Sequence, residues 1–304
     1  MPVRPGNGVG FPIHGRVGFP RRPAARRDGE GNTVSPNAHE LLGLAVTVAE
    51  AAGRLLVRGL ASGPGAVVTK SSPRDLASDL DRASEALIVE RLLARRPDDS
   101  VLGEETGERS GTSGVRWVID PLDGTANYLH RLPAFAVSVA AELHGEALLG
   151  VVHDPSRHET FTAVRGGGAR CDDRRIAVST EHDLSRALLG TGFSFDATKR
   201  ARQAGTLARL VGAVQDVRSS GSAALDLCWV AAGRLDVYYE GDTRPWDRAA
   251  GALIASEAGA AVIGADAGPP SDDMIIAGSA ALVGAVLELL VDGAERVVTQ
   301  DSVS

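Results

Sequence analysis

The stretch Trp117-Val118-Ile119-Asp120-Pro121-Leu122-Asp123-Gly124-Thr125-Ala126-Asn127 constrains this chain more than any other. A mostly apolar run, residues 115–119, breaks off at two carboxylates three positions apart. Pro121, between them, fixes φ and cannot donate to a sheet ladder. Gly124, after them, tolerates unusual backbone angles and lets another group approach the backbone. The pattern predicts a buried strand ending in a loop that carries Asp120 and Asp123. Two carboxylates held together there repel each other unless positive charge lies between them. A divalent cation bound through oxygen is the simplest neutraliser. An EF-hand reading of this segment fails: the glycine would stand at the fifth rather than the sixth place, and Arg131 falls where a bidentate Glu is needed.

Apolar periodicity outlines the rest. From Asn37 a helix is expected, started by Ser35-Pro36 and stopped by Gly63-Pro64-Gly65, with Leu41, Leu44, Ala45, Val48, Ala52, Leu55 and Leu56 on one face. A second helix spans 79–96, its apolar positions being Leu80, Ala83, Ala86, Leu87, Val89 and Leu92. A short strand, 100–103, leads into Glu104-Glu105. After the central stretch the period becomes two, and 134–143, 147–152 and 159–164 read as strands of a largely antiparallel sheet. Gly166-Gly167-Gly168 reads as a hairpin loop; Cys171 stands where a dinucleotide fingerprint needs its third glycine. A strand at 187–192 and a helix at 198–214 follow. Ser220-Gly221-Ser222 opens a helix to 232, and a strand at 235–239 ends at Glu240. A helix at 245–258 carries Trp246-Asp247 in its first turn. Strands 261–263 and 274–277 and a helix at 279–290 close the chain. Helices, then strands, then alternation predict an α+β layered domain.

At 304 residues the chain has room for one large domain or two small ones. Residues 1–36, rich in Gly, Pro and Arg, read as a disordered tail; their composition also admits a transit peptide, but there is no secretory h-region. Residues 37–304 read as the folded domain, divisible into subdomains near 37–180 and 181–304. A formal net charge of −7 argues against general nucleic-acid affinity, and no apolar run has the length of a membrane span. Cys171 and Cys228 form neither a disulfide framework nor a metal-ligand spacing, which points to a reducing, cytoplasmic setting.

The central stretch resembles the signature of the inositol monophosphatase family of Mg²⁺-dependent phosphatases. That signature is an apolar pair followed by Asp-Pro-(Ile/Leu)-Asp-Gly-Thr-x-Asn, and every fixed position is present. Val101-Leu102-Gly103-Glu104-Glu105 and Trp246-Asp247-Arg248-Ala249-Ala250-Gly251 resemble two further family segments. The likeness covers about residues 37–290. It implies a layered α-β-α-β-α sandwich of the inositol monophosphatase and fructose-1,6-bisphosphatase type. It also implies metal ligation by Glu104, Asp120, the carbonyl of Leu122, Asp123 and Asp247, with Asp120 bridging two ions. An all-oxygen set suits two or three Mg²⁺, or Mn²⁺, and disfavours zinc.

By the same resemblance, Thr125 and Asp81 position the attacking water, held at the metals with Glu104. Asp81 is reached by aligning the family's Lys-led stretch with residues 70–81. Its alternative is a capping-box acid answering Ser78, and that for Asp247 is an ordinary first-turn acid. Gly124 and Thr125, at a helix start, offer N–H groups to phosphate. Gly221, Ser222 and Ala223 align with a segment lining the substrate site, though such residues are also common caps. Glu240 aligns with a Glu that binds inositol hydroxyls, or is a surface residue at a strand end. Asp123 and Asp247 face the substrate too.

The implied substrate is a small phosphate monoester, myo-inositol monophosphate, with lithium sensitivity and a homodimer. Histidinol phosphate, fructose 1,6-bisphosphate and a nucleotide 3′-phosphate are rivals that share the metal core. Arg244, between Glu240 and Asp247, favours a second phosphate. A reading from another class, a non-catalytic Mg²⁺-binding regulatory protein, requires loss of Thr125 or a metal carboxylate, and none is lost.

Overall fold

The first helix, α1 (Ala38–Ser62), turns Leu41, Ala45, Val48, Ala52 and Leu56 inward at three- and four-residue spacing. A computed structural model describes residues 37–62 and 65–300, with side chains to 290. The Arg-rich segment 1–36 and the Gly63-Pro64 stop lie outside the described residues. A small hairpin, β1 (Val67–Thr69) and β2 (Leu76–Ser78), precedes α2 (Asp79–Arg95). At three residues each, these strands are too short to show a period in sequence.

The large sheet contains β3 (Ser100–Gly103), β4 (Gly107–Arg109), β5 (Val115–Asp123), β6 (Ala136–Leu143), β7 (Glu146–Asp154), β8 (Glu159–Val164), β9 (Gly168–Cys171) and β10 (Arg174–Arg175). A one-turn helix, α3 (Thr125–Leu129), follows β5. Strand order is β10-β9-β8-β7-β6-β5-β3-β4. Only β3 and β5 pair in parallel. The glycine run at 166–168 is the β8–β9 hairpin.

The remainder comprises β11 (Leu188–Thr191), α4 (Ala197–Leu210), β12 (Asp216–Arg218), α5 (Ala223–Ala231), β13 (Val237–Glu240), α6 (Pro245–Glu257), β14 (Ala261–Ile263), β15 (Ile275–Gly278) and α7 (Ala280–Gln300). The second sheet has the order β12-β11-β13-β15-β14 and mixes parallel and antiparallel pairs.

Alternation along the strands builds the layers. Trp117, Ile119, Val137 and Val139 pack against α1 and α2, whereas Val118, Ala136, Ala140 and Val152 pack against α5 and α6. On the small sheet, Tyr238, Ile275 and Ala277 meet Leu227 and Val230 of α5; Leu189, Val237 and Ile276 meet Leu210 of α4 and Val283 of α7. The result is helix, sheet, helix, sheet, helix, the layered α+β fold the sequence predicts. No helix among the described residues is long and apolar enough to cross a membrane.

Four expectations need correction. The helix at 198–214 ends at Leu210, two residues before Gly212. The last helix runs to Gln300 rather than 290, because one glycine in a helix costs only about 1 kcal/mol and no proline follows. In α2 the buried residues are Asp81, Ser84, Glu85, Ile88 and Leu92, while Ala83 and Ala86 are exposed. Finally, Asp120 and Asp123 do not leave the strand for a loop. β5 continues through a bulge: Asp120 pairs with Ser138 and Asp123 with Ala136, so three steps on β5 match two on β6. Pro121, lacking an N–H, sits inside the bulge, where no ladder bond is needed.

Candidate functional site

The bulge turns the end of β5 into one wall of a cleft of about 270 Å³. Asp120, Leu122 and Asp123 from the bulge line it, with Gly124 and Thr125 from the start of α3. Glu104 after β3, Gly221, Ser222 and Ala223 at the start of α5, Glu240 at the end of β13, and Asp247 in the first turn of α6 complete it. Gly124 has φ of 93°, and a Cβ there would stand 2.9 Å from the Ala134 carbonyl, so a larger residue would push the turn off β6. A larger hollow, about 770 Å³, lies between α1 and α2, but it gathers no comparable set of carboxylates. Chemistry rather than size singles out the smaller cleft.

Each of the four candidate metal carboxylates has one oxygen engaged by the protein. Asp120 Oδ1 accepts from the Leu122 N–H at 3.0 Å. Asp123 Oδ2 accepts from the Ser222 hydroxyl at 2.6 Å and the Ala224 N–H at 2.7 Å. Asp247 Oδ2 accepts from the Arg244 N–H at 2.6 Å, so its helix-capping role is real. Glu104 Oε1 faces Lys70 Nζ at 2.8 Å.

Burial, reinforced by the charges of Glu104, Asp123 and Asp247, pushes the Asp120 acid well above its ordinary range. Burial does the same to Asp247, with Asp123 and Glu104 adding repulsion. Glu104 is raised by burial although Lys70 opposes the shift. Asp123 is pushed up to about 6 by burial, against its Ser222 and Ala224 hydrogen bonds. Burial works against the Lys70 ammonium, but Glu104 and Glu105 outweigh it and hold the lysine above its usual range.

No three Asp, Glu, His or Cys side chains among the described residues are drawn together tightly enough to grip an ion as they stand. The donor set nevertheless fits a hard cation: the groups are all oxygen and they repel one another in a buried setting, with Lys70 paired to Glu104 at its edge. Divalent charge there would relieve the repulsion that raises their pKa values.

Behind this wall lies Asp81, fully buried and outside the cleft lining. Its Oδ2 accepts from the Ser78 N–H at 2.8 Å and the Ser78 hydroxyl at 2.5 Å, the capping box of α2. Its Oδ1 accepts from the Thr125 hydroxyl at 2.9 Å. The two readings of Asp81 therefore hold together, one on each oxygen. The Thr125 oxygen also stands 3.1 Å from the Leu122 carbonyl.

Sequence reasoning missed a supporting ring. Glu85, fully buried, accepts from the Glu105 and Thr106 N–H groups at 2.8 and 2.9 Å and so fixes the turn that presents Glu104. A Cβ on Gly103 would come within 2.5 Å of the Glu85 carboxyl. Ser84 donates to the Pro121 carbonyl at 2.9 Å, holding the bulge from behind. Asn127 Nδ2 donates to the carbonyls of Ala134 and Ser220 at 2.6 and 2.7 Å, tying the two cleft walls. The available signal was the spacing 81, 84, 85, 88, 92, a single helix face whose first half is polar. Asp226, buried in the first turn of α5, has no hydrogen bond on either carboxyl oxygen; burial pushes its acid well above the ordinary range, offset only in part by nearby Ser220.

Glu240 accepts from the Tyr238 hydroxyl at 2.6 Å, and burial pushes it up to about 7. Gly192 makes room for it, since a Cβ would fall 2.2 Å from the Glu240 carboxyl. Arg244 is exposed, pairs with Asp272 at 3.1 Å, and lines a depression that adjoins the cleft and shares Glu104 and Asp247 with it.

Residues 37–295 match the profile of the inositol monophosphatase family. Among curated relatives, the Nus factor SuhB of Escherichia coli strain K12 is 42% identical over 226 residues, 74% of this chain and 85% of its own length. An inositol-1-monophosphatase of Mycobacterium leprae is 47% identical over 211 residues, 66% of this chain and 72% of its own. The solved inositol monophosphatase of Anabaena (Nostoc) sp. PCC 7120 superposes with a TM-score of 0.75 at 35% identity, covering 84% of this chain and 96% of that one.

Proposed function

This chain belongs to the inositol monophosphatase family, and from that premise we propose that it is a divalent-cation-dependent phosphomonoesterase acting on myo-inositol monophosphate. The observation that carries the reading is the 2.9 Å Asp81–Thr125 contact set against a wall of oxygen donors. Glu104, Asp120, the Leu122 carbonyl, Asp123 and Asp247 would hold two or three Mg²⁺ ions, with Mn²⁺ also suited to the donors. Bound there, the cation would neutralise phosphoryl oxygens and lower the pKa of water.

The chain's own groups do the rest. Asp81 accepts the Thr125 proton, which leaves the threonine oxygen free to orient, and accept a proton from, the attacking water. The N–H groups of Gly124, Thr125 and Gly221 offer donors to the phosphoryl oxygens beside helix starts. Attack in line forms the new O–P bond as the ester O–P bond breaks; the departing alcohol takes up a proton. Glu240 accepts hydrogen bonds from the alcohol's remaining hydroxyls. A homodimer, lithium sensitivity and a cytoplasmic setting belong to the same reading.

A second reading, a regulatory protein, draws support from relatives named Nus factor SuhB. One assay separates the two. Phosphate release from inositol 1-phosphate, histidinol phosphate, fructose 1,6-bisphosphate and a nucleoside 3′-phosphate should need Mg²⁺ and vanish in EDTA. Full activity in chelator would overturn the metal core, and no turnover of any ester by folded protein in Mg²⁺ would favour the regulatory reading.

A further inference from the structure

The cleft wall beside Glu240 is made by residues 192–195, which follow β11, and by Arg200 of α4. Seven of the cleft's described lining residues are acids, and Arg200 is the one base among them. The other cations nearby are already paired: Lys70 with Glu104 and Glu105, Lys199 with Asp242, and Arg244 with Asp272. Arg200 has no carboxylate partner among the described residues. Instead, Nη1 donates to the Ser194 carbonyl at 3.2 Å, and the guanidinium lies 5.2 Å from the Phe193 ring centroid. A backbone oxygen and an aromatic face hold the group in place without neutralising it. Its remaining N–H donors keep the planar fork that matches a carboxylate or a phosphate.

On a rim of seven acids, an exposed arginine that no described carboxylate neutralises is the feature that sets this wall apart. We propose that Arg200 is a specificity-determining residue that binds an anionic substituent on the leaving alcohol. Among the esters that could share this metal core, Arg200 thereby favours those carrying a second phosphate or a carboxylate. The inference rests on the phosphatase reading above and places the contact to a second anion at Arg200 rather than at Arg244, which pairs with Asp272.

The test compares full-length protein with Arg200→Ala and Arg200→Lys in Mg²⁺. The substrates are inositol 1-phosphate, inositol 1,4-bisphosphate, fructose 1,6-bisphosphate and 2-phosphoglycerate. The ratio of kcat/KM for an ester with a second anionic group over inositol 1-phosphate should fall about tenfold or more in Arg200→Ala, mainly through KM, with part of it restored by lysine. Added salt should lower the same ratio in the native protein. A loss confined to the bisphosphates assigns the position to phosphate, and one confined to 2-phosphoglycerate assigns it to carboxylate. An unchanged ratio, or an equal loss on every ester, would overturn the proposal. Calorimetric binding of inositol 1,4-bisphosphate against inositol 1-phosphate reads the ratio without turnover. Absent turnover with a preserved binding preference therefore counts against the phosphatase reading alone, and an absent preference counts against Arg200.

Discussion

α1 and α2 pack together on one face of the large sheet, yet they bury opposite chemistry. α1 turns Leu41, Ala45, Val48, Ala52 and Leu56 inward. α2 turns in Asp81, Ser84 and Glu85 before it reaches Ile88 and Leu92. An apolar side chain gains roughly 1.5–3 kcal/mol on burial and needs no particular partner. A buried polar group is a net cost unless it is bonded. Every inward polar residue of α2 is bonded, and the partners are cleft parts or their supports: the Thr125 hydroxyl, the Pro121 carbonyl, and the Glu105 and Thr106 amides. α1 thus holds the fold through area, while the first half of α2 holds the cleft through directed bonds.

Substitutions should separate the two helices. The largest effect is expected from Asp81→Asn. Loss of the Thr125 contact should lower kcat by about two to four powers of ten, with about 1–2 kcal/mol of unfolding free energy lost through the weakened capping box. Next comes Leu56→Ala, at a fully buried position of α1. It should cost about 2–5 kcal/mol of unfolding free energy, with kcat per folded molecule within about twofold of native. If both variants lost activity alike, the division between the helices would disappear.

A pH series gives the third contrast. Burial raises Glu240 from 4.5 to about 7, so the folded protein keeps its proton across a range where the unfolded chain has lost it. That stabilisation is complete below about pH 4.5 and is lost as pH rises through about 7, on the order of 3 kcal/mol in chelator. Glu240→Gln should flatten this slope in urea titrations, and Leu56→Ala should shift the curve without changing it. The smallest effect is Glu85→Gln. Weaker acceptance from Glu105 and Thr106 should cost about 1–2 kcal/mol and raise the Mg²⁺ needed for half-maximal rate roughly tenfold. An unchanged Mg²⁺ requirement would show that Glu85 serves the helix only.

The same contrast explains what could be read in advance. The strands from 136 to 164 are buried on alternating faces, so their period was plain. Asp120, Asp123, Glu104 and Asp247 stood out because carboxylates beside Pro, Gly and Trp make unusual patterns. The inward face of α2 did not, because periodicity ranks faces by apolar content, and Leu80, Ala83, Ala86 and Leu87 outscored a stripe whose partners arrive from β5, α3 and the turn after β3. The bulge was hidden for a similar reason: Pro121 looks like a strand end until Asp123 finds Ala136 across the ladder.

One feature of the cleft couples it to local unfolding. Asp81, Asp123 and Asp247 each give one oxygen to the first turn of a helix, those of α2, α5 and α6. Fraying of any of these turns releases a carboxylate from its orientation, so helix-end opening and loss of the cleft's shape become one event. The amide protons of Ser78, Ala224 and Arg244 are then reporters of the cleft, although none belongs to its chemistry. Their hydrogen-exchange protection should rise together when a divalent cation binds, whereas amides in the middle of α1 should exchange at an unaltered rate.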